Sequence, residues 1–125
     1  MGQQQLILIV LGVIVVGIAV VIGIILFTSN AVSSNRDGII SDLNNIGGMA
    51  QQYYYKAPSM GGGDNSFTGW TIPEQVDTTP NGTYTATVSD QSVIITGTGH
   101  EMNGGTPIVH TATVFPTTIS IVKTN

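Results

Sequence analysis

The chain has no cysteine, which excludes disulfide frameworks, thiolate metal sites and cysteine nucleophiles together. Charge is almost as scarce: 8% of the 125 residues are charged, only three of them lysine or arginine, and the formal net charge is −4. A chain without a basic patch has little with which to neutralise a phosphate backbone, which argues against nucleic acid as a partner. No cation precedes the first apolar run, so the basic start of a secretory signal is missing as well.

What is present begins with that run. Leu6 to Phe27 are 22 consecutive residues without a charge or a side-chain hydrogen-bonding group. At about 1.5 Å per helical residue they reach roughly 33 Å, enough to cross a hydrocarbon core of roughly 30 Å. The run also exceeds the roughly 7 to 15 residues of a cleaved signal's apolar core, so a retained segment is expected. Gly12, Gly17 and Gly23 interrupt its Val/Ile/Leu background, and Ala19 with Gly23 makes a small-xxx-small pair. Small residues let helix backbones approach closely where lipid is as apolar as protein, although glycine is also simply common in membrane helices. With so much of the chain apolar, one small downstream domain remains, which leaves little room for an enzyme.

Beyond Phe27 the pattern becomes one-sided. Val32, Ile39, Ile46 and Tyr53 recur every seven residues, and Arg36, Leu43 and Ala50 fall four after the first three. Apart from Arg36 this is a single apolar stripe, so the helix is expected to continue as an amphipathic one. Gly38 and Gly47-Gly48 weaken it by about 1 kcal/mol each relative to alanine and predict a local bend or unwound turn. Pro58 disfavours helical geometry at Ala57, and SMGGGDN follows, which places the helix end near Lys56. The whole rod would approach 50 residues, or about 75 Å.

From Ser66 the composition turns to threonine, valine, isoleucine and glycine. Thr83 to Ser89 alternates strictly, with Tyr84, Ala86 and Val88 on one face, as a half-buried strand requires. Asp90-Gln91 turns into a second strand over Ser92–Thr98, GHEMNGG makes a broader turn, Pro107–Phe115 is a third strand and Thr118–Lys123 a fourth. Brief connections favour an antiparallel meander. The fold class is therefore α+β: residues 1–57 a helical spine, 58–82 a loop-rich connection and 83–125 an antiparallel sheet. So small a sheet needs the helix to complete a core, so Ile39, Leu43, Ile46, Ala50 and Tyr53 are expected to pack on it, with Phe67 and Trp70 covering part of the contact.

A hydrophobic N-terminal helix that becomes amphipathic and is followed by a small antiparallel sheet resembles type IV pilins and their secretion-system and archaeal relatives. The resemblance covers the whole chain as a layout rather than as a motif. In that family a peptidase removes a short basic leader after a glycine, and the mature chain typically shows Phe-Thr-Leu-Ile-Glu; this sequence has neither feature. If Met1 is the first mature residue, Gln5 stands at the family's glutamate position as its neutral amide; if cleavage follows Gly2, Gln3 becomes first and Ile7 fifth. The family's salt bridge to a neighbour's N-terminal amine has no carboxylate here, and Gln3, Gln4 and Gln5 offer neutral acceptors instead.

The resemblance implies a structural subunit that waits in the membrane and then, with export and assembly machinery, joins identical subunits in an extracellular helical homopolymer. The core of the bundle would be Leu6, Ile9, Gly12, Val13, Val16, Gly17, Val20, Gly23, Ile24 and Phe27, with sheet domains as the outer shell. An unpaired charge in such a core would cost several kcal/mol, and residues 1–35 contain no acid or base apart from the terminal amine. Two alternatives share the sequence features: a single-span membrane-anchored surface or binding protein, and a pseudopilin of a secretion apparatus. Orientation is ambiguous, since Arg36 on the C-terminal side of the run weakly favours a cytoplasmic sheet while the resemblance implies an external one.

Residues with chemical potential read blandly. His100 and Glu101 fall in the broad turn and His110 on a strand; HEMNG lacks the second histidine of a zincin, so no metal, cofactor or catalytic residue is expected. Asp64, Asp77 and Asp90 show no paired spacing. Asn81-Gly82-Thr83 is an N-glycosylation sequon and equally an Asn-Gly turn, the second being favoured. Tyr53-Tyr54-Tyr55 invites electron transfer, but helix-to-sheet packing by one of the three is the stronger reading.

Overall fold

The computed structural model describes residues 2–125. One helix, α1 (Gly2–Tyr55), is followed by five strands: β1 (Thr78–Thr79), β2 (Gly82–Val88), β3 (Val93–Asn103), β4 (Thr106–Val114) and β5 (Ile119–Lys123). The strands form one antiparallel sheet in sequential order, so the fold is α+β with a meander. By internal contacts the chain divides after Ala31, and the second unit, Val32–Asn125, contains both the later part of α1 and the whole sheet.

The core of this unit lies between helix and sheet. Ile39, Leu43, Ile46 and Ala50 are buried from the helix side, meeting Tyr84, Val93, Ile95, Ile108, Ala112 and Val114 from the sheet. Phe67 and Trp70, from the connection, are buried in the same cluster. The stripe continues to Tyr54, four residues after Ala50, and it is Tyr54 that is buried, with its ring 4.8 Å from that of Phe67. Tyr53 is half-buried beside the core and sends its hydroxyl to the Thr68 carbonyl at 2.8 Å.

Helix termination follows from the sequence. Ala57 is extended, as the residue before Pro58 must be, and a 3-10 turn over Pro58–Met60 follows. The SMGGGDN segment then folds back on the helix end: Gly63, Asn65 and Asp64 donate backbone N–H bonds to the carbonyls of Tyr53, Tyr54 and Lys56. Carbonyls that a helix end leaves without intrahelical partners are thereby satisfied. Asp64 and Asn65 adopt left-handed φ of 52° and 62°, which short polar side chains tolerate.

Three expectations are corrected. First, α1 is helical through Gly38 and Gly47-Gly48, with no unwound turn. Two of these glycines instead permit close approach: a Cβ on Gly47 would lie 2.8 Å from Ile119 Cδ1, and one on Gly38 would strike the Asn81 side chain. Second, β3 runs on to Asn103, so His100 and Glu101 lie on a strand, not in a broad turn. Gly99 looks like a breaker in sequence, but it and Gly97 sit on the buried face, where Ile39, Tyr84, Asn35 and Ile108 leave no space for a Cβ. The turn itself is only Gly104-Gly105, both at positive φ as a type I′ hairpin requires. Third, a short strand precedes the expected four: β1 has two residues, too few for any alternation to show.

The glycines yield a paired prediction. Gly99→Ala should destabilise the Val32–Asn125 unit by about 2 kcal/mol, as overpacking a close-packed core does. Gly48→Ala, where nothing lies within 4 Å of the added carbon, should instead stabilise by about 1 kcal/mol. Urea unfolding of the full chain in detergent, followed by the fluorescence of the single tryptophan, Trp70, measures both; equal effects would refute the packing assignment.

Candidate functional site

Every residue from Gly2 to Asn30 is exposed, including all 22 of the apolar run. Its large apolar side chains are between 52% and 76% exposed, from Ile22 to Phe27. A Cβ at Gly12, Gly17 or Gly23 would meet nothing within 4 Å beyond its own stretch of helix, so among the described residues no other segment fills the space beside them. The segment is long and apolar enough to cross a membrane. Helical geometry satisfies its backbone internally, which is the condition for any single segment in a bilayer. Leu6, Ile9, Val13, Val16, Val20, Ile24 and Phe27 all belong to this exposed surface, as do Gln3, Gln4 and Gln5 at its start.

The unit Val32–Asn125 carries a polar cluster that the sequence pattern did not reveal. Asp42 is half-buried on α1, and its Oδ2 accepts three hydrogen bonds: from Tyr84 Oη at 2.6 Å, Thr79 Oγ1 at 2.7 Å and Asn81 Nδ2 at 3.1 Å. Burial pushes the Asp42 pKa up, but these donors outweigh it and hold the carboxyl below its ordinary value. The same burial, together with the Asp42 bond and charge, raises the Tyr84 phenol well above its usual range. Asn35 extends the cluster, donating to the Asn81 carbonyl at 2.6 Å and accepting from the Glu101 N–H at 3.1 Å. An acid on a helix, one turn from the apolar stripe, is the only sequence signal for this arrangement, and its partners lie 37 to 42 positions away. A groove of about 440 Å³ beside Asp42 is bordered by Asn44, Asn45, Met49 and Thr79.

Each donor to Asp42 is an ordinary alcohol, phenol or amide, and no group of three or more potential metal ligands exists among the described residues. His100 lies on β3 with its Nε2 3.4 Å from the Thr79 carbonyl. His110 lies on β4 and is buried. Asn81 is half-buried, its side-chain amide engaged by Asp42 and packed against Gly38. A glycan on Asn81 would have to displace both contacts.

His110 is the one buried polar side chain with an unpaired atom, Nδ1, among the described residues. Its cross-strand partners are Gly97 on β3 and Lys123 on β5. Burial lowers its pKa, and the charges of Arg36 on α1 and Lys123 on β5 lower it further. Arg36 is itself held in place, donating from Nη1 to the Asn125 carbonyl at 2.8 Å. With the folded pKa depressed, the unfolded chain binds more protons, so stability is full above the ordinary value of 6.5 and falls as the pH drops below it. The urea midpoint of Trp70 fluorescence should therefore decline between neutrality and about pH 5, and His110→Phe should abolish most of that decline. An undiminished decline in His110→Phe would refute the assignment.

Comparison with protein families, curated proteins and solved structures finds no match to the chain.

Proposed function

We propose that the protein is a structural subunit of a pilus-like surface filament, inserted in the membrane before assembly and acting without catalysis. One observation carries the reading: an apolar helical surface of 22 residues is wholly exposed, while the core of Val32–Asn125 is complete without it. Water cannot be the partner of such a surface, so lipid or other copies must be.

Filament packing draws support from the distribution of small and amide residues. At 100° per residue, Gln5, Gly12, Ala19, Gly23 and Asn30 fall within a sector of about 40° on the helix. A line of this kind lets a neighbouring helix approach closely, with amides at either end as hydrogen-bonding groups. The outward face of the sheet adds to this: Thr83, Thr85, Thr96, Thr98, Thr111 and Thr113 alternate with the buried positions, and no charged residue stands among them. An uncharged shell tolerates close contact between identical subunits, where like charges would repel. These are also the features of a type IV pilin layout, in which identical subunits polymerise through their N-terminal helices outside the cell. A single-span anchor explains the same exposure but gives the small-residue line no role.

Shearing cells and pelleting the surface fraction without detergent tests the proposal. Thin filaments by electron microscopy, with peptides of this chain dominating by mass spectrometry, are expected. Gly12→Leu should still insert in membranes yet lose filaments, because the added side chain crowds the bundle but not the lipid. Retention of the wild-type protein in membranes until detergent is added would make the segment an anchor only. Wild-type filament yield from Gly12→Leu would refute the packing line.

A further inference from the structure

The chain contains two Asn-Gly pairs, Asn81-Gly82 and Asn103-Gly104, and the fold treats them in opposite ways. We propose that Asn103 is a site of spontaneous covalent modification, at which its side-chain amide is lost to attack by the Gly104 nitrogen, while Asn81 is held unreactive. In this reaction the Gly104 backbone nitrogen loses its proton and bonds to Asn103 Cγ. The Cγ–Nδ2 bond breaks and ammonia leaves, giving a cyclic imide. Water then opens the ring at either carbonyl, producing aspartate or isoaspartate. No oxidant or cofactor is needed; the co-reactant is water.

The reaction needs an accessible nitrogen, a mobile side-chain carbonyl and a backbone free to rotate. Glycine supplies the first, since it has no Cβ to obstruct the approach. Asn103 ends β3 opposite Thr106, is exposed, and its side-chain amide has no hydrogen bond among the described residues. Gly104 and Gly105 follow it at positive φ, and the Gly104 N–H engages no partner. Opening a single terminal pair at the tip of a hairpin frees this site, and such ends are the least protected part of a fold.

Asn81 also precedes a glycine but lacks the other two conditions. Its Nδ2 donates to Asp42, its carbonyl accepts from Asn35 and its N–H donates to Thr79 Oγ1. Gly82 is buried and paired on both sides, with Thr79 and Gly99. Breaking the charge-assisted bond from Asn81 to the Asp42 carboxylate before reaction should slow Asn81 at least about tenfold relative to Asn103. The product at Asn103 is a new negative charge on a tip whose residues 102–106 carry none, and isoaspartate also lengthens the backbone inside the tight turn. The hairpin would thus record the age of each copy.

The full chain in detergent is incubated at mildly alkaline pH, sampled over time and peptide-mapped by mass spectrometry. Acid and isoaspartate forms should accumulate at residue 103 at least about tenfold faster than at 81, and the gap should collapse in urea. Equal rates in the folded protein, or an Asn103 that stays intact while urea-unfolded chain reacts, would overturn the proposal. A gap that survives in urea would equally do so, because the fold would then not be its cause.

Discussion

A helix of apolar side chains cannot remain in water. Burying one valine, leucine or isoleucine fully is worth about 1.5–3 kcal/mol, so the run from Leu6 to Phe27 represents a driving force on the order of tens of kcal/mol. This force exceeds the whole stability of an ordinary small domain. It dictates where the chain can reside, and it explains why no charge interrupts residues 2–35. It also explains the helix itself. Valine and isoleucine are mediocre helix formers in water, but in a bilayer a single segment can satisfy its backbone only as a helix.

The second half of α1 obeys a different constraint, because it must contact a sheet in one register. Apolar contact is less directional than hydrogen bonding. Hydrogen bonds that run from the helix to distant segments are not tolerant of sliding. Arg36 reaches Asn125, Asp42 reaches β1 and β2, and Gln51 donates to the Phe115 carbonyl at 3.0 Å. Tyr55 closes the far end on the Pro116 carbonyl at 2.9 Å. Spread along about five turns of helix, these directional bonds select one register.

How much of this was legible depended on whether the signal was periodic. The apolar run, the stripe through Ile39, Leu43, Ile46 and Ala50, and the alternation of β2 are periodic, and each stands in the structure as an element or a buried face. Pro58 announced the helix end because its effect on Ala57 is local. What escaped was non-periodic. β1 is too short to alternate, and Asp42 carries no mark of the three donors that converge on it. Gly99 misled for a definite reason: glycine breaks strands by propensity, but here it is required by the closeness of Asn35, Ile39 and Ile108. The stripe pointed to Tyr53, yet Tyr54 is the deeper of the two, since three and four residues are both about one turn. The approach of Phe67 decided it.

The space around each glycine separates surfaces that the chain uses on itself from surfaces it leaves for something else. Gly38, Gly47, Gly97 and Gly99 are each within contact of another segment, so a side chain there would meet a neighbour already in place. Gly12, Gly17 and Gly23 meet nothing. In a helix under no packing demand, a glycine has a cost of about 1 kcal/mol relative to alanine and no return. Three of them in 12 residues of otherwise strong apolar side chains make structural sense if the missing neighbour comes from outside the chain. Lipid, being fluid, would fill the space beside a leucine as readily as beside a glycine, whereas a second helix would not. In the proposed filament, the open glycines would be the places where the helix of another subunit comes closest.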